Sequence, residues 1–179
     1  LCMIGHVPEM IDAGIDSFKI EGRMKTALYV ATVARTYRKA IDDYMKDPKL
    51  YEANMEWYKE EIGKCTYREF TTGFYFGKPG SDAQIYNSNT YVKNYTYLGT
   101  VEEADGKGRC RIEQKNKFSV GETIEIMKPD GRNLEVVVKS ICDEDGNEQE
   151  SAPHPKQILW VDLGADVDKY DILRKKEDN

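Results

Sequence analysis

The pattern of hydrophobic and polar residues changes period near the middle of the chain. Between Thr26 and Tyr44, apolar side chains recur at steps of three and four residues, which is the spacing of one helix face. From Tyr95 onward, short apolar runs alternate with Gly, Asp and Asn, as in β-strands joined by tight turns. The first half is therefore predicted to be helical and the second half all-β.

Four elements are predicted in the helical half. A short helix over 7–13 has a proline in its first turn, where the missing N–H costs nothing. A β-like run follows over 15–20, and a long helix begins near Thr26. Pro48 ends that helix and opens another, predicted from Lys49 to about Gly63.

The long helix is predicted to bury one stripe and to expose the other side. The stripe consists of Val30, Ala34, Tyr37, Ile41 and Tyr44, and the outward residues are Arg35, Arg38, Lys39 and Asp42. Its apolar stripe requires a core to pack against.

The second half is predicted to form a small closed or nearly closed β-barrel. Six strands are expected, over 95–102, 108–114, 123–128, 134–141, 157–162 and 171–174. The expected core consists of Val101, Ile112, Ile124, Ile126, Val136, Val138, Leu159 and Val161. Because these strands and turns need no partner from the helical half, we expect this barrel to fold autonomously.

The composition divides the chain into three parts. Residues 1–67 carry the helices, and 68–94 are rich in Gly, Ser, Asn, Thr and aromatics, which is typical of a linker. Residues 95–179 form the predicted barrel. The chain begins at Leu1 on an apolar run, so we expect a fragment of a longer protein.

The net charge of −6 argues against nonspecific binding of nucleic acid by the whole surface. The stretch Lys19–Lys39 is locally basic, and it is either a solvated helix face or an RNA contact. No apolar run approaches the ~18 residues of a membrane span, so no membrane association and a cytoplasmic location are expected.

Neither a metal motif nor a hydrolytic set is visible in this chain. The four cysteines are far apart and are expected to be reduced thiols. His6 lies beside a predicted helix start and His154 lies between two prolines, and neither is accompanied by a Ser/His/Asp, Cys/His or zinc-protease pattern. We therefore expect no metal site within this fragment.

Candidate catalytic residues follow the β-like run over 15–20. Its succession of strand and helix is typical of a βα unit, and residues just after a barrel strand line the active face. Glu21, Arg23 and Lys25 occupy these positions. Glu21 could accept a proton, and Arg23 could grip a phosphate or carboxylate. The alternative is a structural Glu–Arg ion pair at the barrel rim.

The chain resembles the collagenase-like peptidase family along nearly its whole length. The resemblance rests on Leu1-Cys2, on the segment from Pro8 to Lys25 with its sequence PEMIDAGIDSFKIEGRMK, and on the stretches 29–33, 37–42, 72–75 and 116–122. It implies an α+β fragment: the last βα unit and helices of a TIM-like barrel, followed by a small barrel similar to domain 2 of translation elongation factors.

The resemblance also implies a cofactor. Several family members bind a four-iron four-sulfur cluster through four cysteines, and Cys2 matches the last of them. A thiolate is the preferred ligand of such clusters. The other ligands would lie upstream of Leu1, so the cluster is expected in the intact protein and not in this fragment.

Three functions remain open at this point. The subgroup with the long C-terminal extension resembles bacterial proteins that form 5-hydroxyuridine at the tRNA wobble position, which implies tRNA as a partner and is ranked first. The second is a genuine peptidase acting on a protein or peptide. In the third, this fragment is only an RNA- or protein-binding β-barrel without activity. The run over 15–20 lacks sheet neighbours, and its self-association with another copy is a further expectation.

Overall fold

The computed structural model describes residues 1–67, 70–78, 80 and 93–177. The chain divides into two units, Leu1–Asn94 and Tyr95–Asn179. The first is helical, and the second is an antiparallel sheet. Much of the predicted linker over 68–94 lies outside the described residues.

Within its described residues, the helical unit contains a short 3-10 turn and four α-helices. The turn is Ile4–His6, and the helices are α1 (Val7–Asp12), α2 (Ala27–Lys46), α3 (Pro48–Ala53) and α4 (Met55–Ile62). Thr26 caps α2 by accepting a hydrogen bond from Tyr29 N, and Asp47 caps α3 in the same way from Lys49 N. No helix among the described residues is long and apolar enough to cross a membrane.

The single helix predicted over 49–63 is wrong, because it is divided at Asn54. This residue leaves the helical conformation with φ −93° and ψ 5°. Its side-chain Nδ2 donates to Asp43 Oδ2 at 2.8 Å, so a tertiary hydrogen bond holds the residue where the helix turns. Short amides compete with helical backbone bonds in this way.

The strand predicted over 15–20 is also absent. These residues are described, and they form no strand. A strand needs a neighbour to satisfy its N–H and C=O groups, and every strand named in the described parts of the chain lies within residues 95–176. The proposed association of this segment with another copy stays a prediction.

The buried face of α2 differs from the predicted stripe. The buried residues are Leu28, Thr32, Val33, Arg35, Thr36, Ala40 and Asp43. Val30 is 43% exposed, and Ala34 is exposed. Arg35, predicted to face outward, is buried because Glu61 pairs with it. A prediction that follows only apolar residues misses a face built partly from paired charges.

Over residues 95–177, the second unit contains eight strands in one antiparallel sheet. They are β1 (Tyr95–Ala104), β2 (Arg109–Glu113), β3 (Thr123–Met127), β4 (Asn133–Val137), β5 (Ser140–Cys142), β6 (Glu148–Gln149), β7 (Ile158–Asp162) and β8 (Ile172–Lys176). Their order is β4-β3-β8-β1-β2-β7-β5-β6.

The run predicted as one strand over 134–141 is two strands, because the chain changes neighbours within it. β4 pairs with β3, whereas β5 pairs with β7. The change falls at Val138, whose N–H bonds Glu122 O, and Lys139, whose N–H bonds Asp162 O. The two-residue strand β6 was not predicted.

The sheet curls around one hydrophobic core. Seven of the eight predicted core residues are buried, and Val136 is partly buried against the same cluster. Ser119, just before β3, pairs with Ser151, just after β6, which brings distant parts of the strand order together. The prediction of a small antiparallel barrel is confirmed at the level of this curled sheet.

We expect Ile126→Ala to lower the free energy of unfolding of the β-unit by about 2–5 kcal/mol, because this side chain is fully buried. Trp160 lies in β7 and reports unfolding by fluorescence once Trp57 is replaced by Phe. Val137→Ala is the matched control, since that side chain is 50% exposed and should change stability by no more than about 0.5 kcal/mol. Equal effects of the two variants would contradict the core assignment.

Candidate functional site

Three polar contacts around Cys2 hold the beginning of the chain, and two of them are made by Tyr37 of α2. Cys2 N donates to Thr71 O at 2.8 Å, and Met3 N donates to the hydroxyl of Tyr37 at 2.7 Å. The same hydroxyl lies 3.8 Å from Cys2 Sγ. The cysteine is half-buried, and its position is set by backbone and side-chain bonds on both sides.

Tyr37 is the α2 residue that faces Cys2. Burial raises the pKa of its hydroxyl, and the neighbouring Cys2 thiol raises it further. The hydroxyl is consequently protonated at neutral pH and can donate a hydrogen bond. The structure thus places a donor beside the thiol that was predicted to be a cluster ligand.

Cys2 and Glu21 line the same cleft of about 550 Å³. Aromatic and apolar side chains form most of its walls, among them Phe18, Ile20, Tyr29, Val33 and Phe70. Lys19 is the basic residue of the lining. The segment 15–21 forms one side of the cleft although it is not a strand.

Glu21, Arg23 and Lys25 lie on the exposed turn that follows this segment. Glu21 Oε1 accepts from Arg23 N at 3.0 Å and lies 3.8 Å from Arg23 Nε. Lys25 Nζ lies 5.3 Å from the ring centroid of Tyr29. Glu21 lines the cleft, whereas Arg23 and Lys25 are not part of its lining.

The Glu21–Arg23 pair is a weak stabilising interaction. Both side chains are largely exposed, at 66% and 86%, and exposed ion pairs contribute about 0–1 kcal/mol. Gly22 between them permits close packing on α2, because a Cβ there would lie 2.8 Å from Val30 Cγ2. The turn is therefore held by backbone packing more than by its ion pair.

The basic stretch Lys19–Lys39 is not one continuous surface. Arg38 pairs with Asp42 at 2.6 Å, and Lys39 pairs with Asp43 at 2.9 Å. Arg35 is buried against Glu61. The remaining exposed cations of the stretch are Lys19, Arg23 and Lys25, which lie at or beside the cleft.

A buried polar cluster that was not predicted lies between α2 and α4. Asp43 Oδ2 accepts from Tyr58 at 2.5 Å, Asn54 at 2.8 Å and Lys39 at 2.9 Å. Burial alone would raise the pKa of Asp43, but these hydrogen bonds lower it overall. Burial, together with Asp43, raises the pKa of Tyr58. These residues support the helices and lie outside the cleft lining.

The other cysteines and the histidines form no recognisable site. None of the four cysteines, all within the described residues, forms a disulfide, and Cys65 and Cys110 are buried. Burial raises the pKa of the Cys110 thiol to about 12, which makes it unreactive. His6 bonds Glu9 at 3.0 Å and packs on Phe76. Over the described ranges, no group of three or more His, Cys, Asp or Glu residues could hold a metal ion.

Comparison with known proteins identifies the family. Residues 1–85 match peptidase family U32, and residues 93–174 match the peptidase family U32 C-terminal domain. The chain belongs to the peptidase U32 family, which confirms the collagenase-like resemblance.

Three similar proteins illustrate the range of names in this family. The chain is 39% identical to tRNA hydroxylation protein P1 of Bacillus subtilis over 98% of this chain and 42% of that protein. It is 39% identical to a collagenase of Porphyromonas gingivalis over 61% of this chain and 28% of that protein. The C-terminal domain of a Geobacillus thermoleovorans U32 peptidase is 32% identical with a TM-score of 0.42, over 46% of this chain and 92% of that domain.

The chain spans less than half the length of the Bacillus subtilis and Porphyromonas gingivalis relatives.

Proposed function

We propose that this chain is the C-terminal part of a protein that hydroxylates uridine at the tRNA wobble position. The observation that carries the proposal is the similarity to tRNA hydroxylation protein P1 over 98% of the chain. The wobble uridine as the target comes from the resemblance in sequence described above. Exposed Lys19, Arg23 and Lys25 provide a basic edge on the helical unit that suits an RNA phosphate backbone.

The charge distribution favours the helical unit as the RNA-contacting part. The whole net charge of −6 falls within residues 95–179, so the β-unit repels a polyanion. This observation weighs against the third reading, in which the β-barrel by itself is an RNA-binding module. A role of that unit in contacting protein is compatible with its charge.

We further propose that Cys2 binds a four-iron four-sulfur cluster in the full-length protein, which would supply redox chemistry. The surroundings of Cys2 suit one thiolate ligand of such a cluster. The side chain is half-buried and lines an aromatic cleft, and the backbone N–H of Cys2 is bonded to Thr71 O. The described residues offer no second nearby ligand set, so the other three cysteines would come from outside this chain. In this arrangement, Cys2 would hold the cluster, the hydroxyl of Tyr37 would orient the Cys2 sulfur, and the aromatic side chains of the cleft would limit the access of water.

We also propose a fold family for each unit: residues 1–67 would complete a TIM-like barrel, and the β-unit would be similar to domain 2 of translation elongation factors. The exposed apolar side chains Ile15, Ile20 and Val30 support the first part. In a complete barrel, 15–20 would gain the strand neighbours that it lacks here.

Peptidase activity is the second candidate, and the similarity to a collagenase favours it. Among the described residues, His6 bonds the carboxylate of Glu9, so this histidine is not paired with a hydroxyl or a thiol in the part of the chain that the structure describes. A nucleophile paired with a base is the usual signature of hydrolysis by Ser or Cys.

One experiment separates these functions and tests the site. In full-length protein, Glu21→Gln and Arg23→Lys should each reduce 5-hydroxyuridine formation at least tenfold. Glu21 lines the same cleft as Cys2, and a lysine at position 23 cannot make the paired hydrogen bonds to phosphate that the planar guanidinium of Arg23 can make. The melting temperature should stay nearly unchanged, since the pair is exposed. Asp42→Asn, on the exposed side of α2, is the control. Unchanged hydroxylation with a lowered melting temperature would show that Glu21 and Arg23 have a structural role. If the wild-type protein cleaves collagen peptides and these variants do not, the result would favour peptidase activity.

A further inference from the structure

Exposed aromatic side chains lie together on the turn that borders the cleft. Phe70 and Tyr75 line the cleft and are 42% and 63% exposed, and the neighbouring Phe74 and Phe76 are 78% and 64% exposed. Gly73, with a φ of +61°, lies directly before the three consecutive aromatics of this turn. Large apolar side chains that are exposed side by side mark an interaction site, because a partner that covers them removes apolar surface from water.

Two ring contacts hold part of this turn in place before any partner binds. The ring of Phe70 lies nearly parallel to that of Tyr67, with 4.4 Å between the centroids and 11° between the planes. Phe76 packs on His6 with 4.4 Å between the ring centroids. Rings that are already ordered lose little conformational entropy on binding, so this turn is suited to bind a partner rather than to remain bare.

The charges around the cleft favour an anionic partner. Lys19 lines the cleft, and Arg23 and Lys25 are exposed on the turn that follows it. Glu21 is the acidic residue of the described lining, and it contacts Arg23. Aromatic rings interleaved with cations are typical of surfaces that bind single-stranded nucleic acid, where bases stack and phosphates meet the cations. A base-paired duplex hides the faces of its bases, so only unpaired nucleotides can use both features.

From this arrangement we infer that Phe70 and Tyr75 form a stacking platform for unpaired bases of an RNA loop, with Lys19 beside the backbone phosphates. The inference rests on the proposed function and specifies it: the helical unit binds the single-stranded loop that contains the target uridine, and not a double-helical stem of the tRNA. The cleft of about 550 Å³ is in the size range of sites that enclose a small ligand, so it can receive a base that leaves the stack.

Binding of a fluorescent oligouridine to the full-length protein tests the platform. Tyr75→Leu keeps an apolar side chain but removes the aromatic face, so it should weaken oligouridine binding about tenfold, whereas Tyr75→Phe should bind as the wild type does. Binding of a duplex RNA of the same length should be equal in all three proteins. Phe74→Leu is the matched control, because Phe74 is exposed on the same turn but is not part of the cleft lining. Wild-type oligouridine affinity in Tyr75→Leu, or an equal loss in Phe74→Leu, would overturn the inference.

A second measurement needs no variant. Ultraviolet irradiation of the wild-type protein with an oligonucleotide that carries 4-thiouridine should produce crosslinks within residues 70–76, as mapped by mass spectrometry of peptides. Crosslinks confined to other parts of the protein would overturn the inference.

The nucleoside content of tRNA separates the platform from the proposed function. If the wild-type protein forms 5-hydroxyuridine but Tyr75→Leu binds oligouridine as the wild type does, only the platform fails. If the wild-type protein forms no 5-hydroxyuridine but still binds oligouridine through Tyr75, the proposed function fails and the platform stands.

Discussion

Replacing Glu61 by alanine should lower the free energy of unfolding of the helical unit by about 3–5 kcal/mol. Glu61 is 1% exposed, and its carboxylate pairs with Arg35 inside the unit. Removing the carboxylate takes a buried counter-charge away from the guanidinium of Arg35, and Lys64 Nζ, 3.4 Å from Glu61 Oε2, loses this contact as well. The penalty comes from the remaining buried charge rather than from the strength of the pair.

Chemical denaturation of the 179-residue chain measures this effect. Trp57 lies beside the pair, with the Arg35 guanidinium 5.7 Å from its ring centroid, so its fluorescence reports the helical unit once Trp160 is replaced by Phe. Asp42→Ala is the control, because it removes an exposed pair on the same helix that contributes about 0.3–0.5 kcal/mol. The double variant Arg35→Met/Glu61→Leu should recover most of the loss, since neither charge of this pair then remains in the interior. A loss from Glu61→Ala no greater than that from Asp42→Ala would contradict a buried pair.

Replacing Cys2 by serine should remove the proposed cluster from the full-length protein. A hydroxyl is a poorer ligand than a thiolate for the iron of such a cluster, so the variant would lose one of the protein ligands that hold it. After anaerobic purification, iron and sulfide per protein should fall to a small fraction of the wild-type content. The visible absorption of the cluster should fall in parallel.

Cys142→Ser is the matched control for this experiment. Cys142 is also half-buried and free, but it lies in β5 of the other unit. This variant should retain the wild-type iron and sulfide content. Full iron content in Cys2→Ser, or equal loss in both variants, would show that Cys2 is not a ligand.

Local patterns predicted the β-unit better than the helical unit. Alternation of apolar residues identified the core residues Ile112, Ile126 and Leu159, because each strand face meets one interior. In the helical unit, the segment 15–20 reads as a strand, but strand formation depends on neighbours that no local pattern supplies. The buried face of α2 was predicted wrongly, because Arg35 and Asp43 are buried with polar partners that are distant in sequence.

The candidate site was only partly accessible from the sequence. Glu21 was named from its place after the predicted strand and Cys2 from the family resemblance, and the structure adds that they line one cleft. Tyr37 was assigned to a packing stripe, and nothing in its spacing indicates a bond to Met3 and Cys2. Such a contact joins residues 34 and 35 positions apart, so it follows from the packing of α2 and not from local sequence.

The central claim is that the full-length protein hydroxylates tRNA, and the nucleoside content of tRNA tests it most directly. In a bacterial strain that lacks wobble-uridine hydroxylation, the gene for the full-length protein should restore 5-hydroxyuridine in digested tRNA, as measured by mass spectrometry, and the Cys2→Ser gene should not. Protein levels of both variants are compared in the same cells. Wild-type protein at normal abundance with no 5-hydroxyuridine in the tRNA would contradict the account.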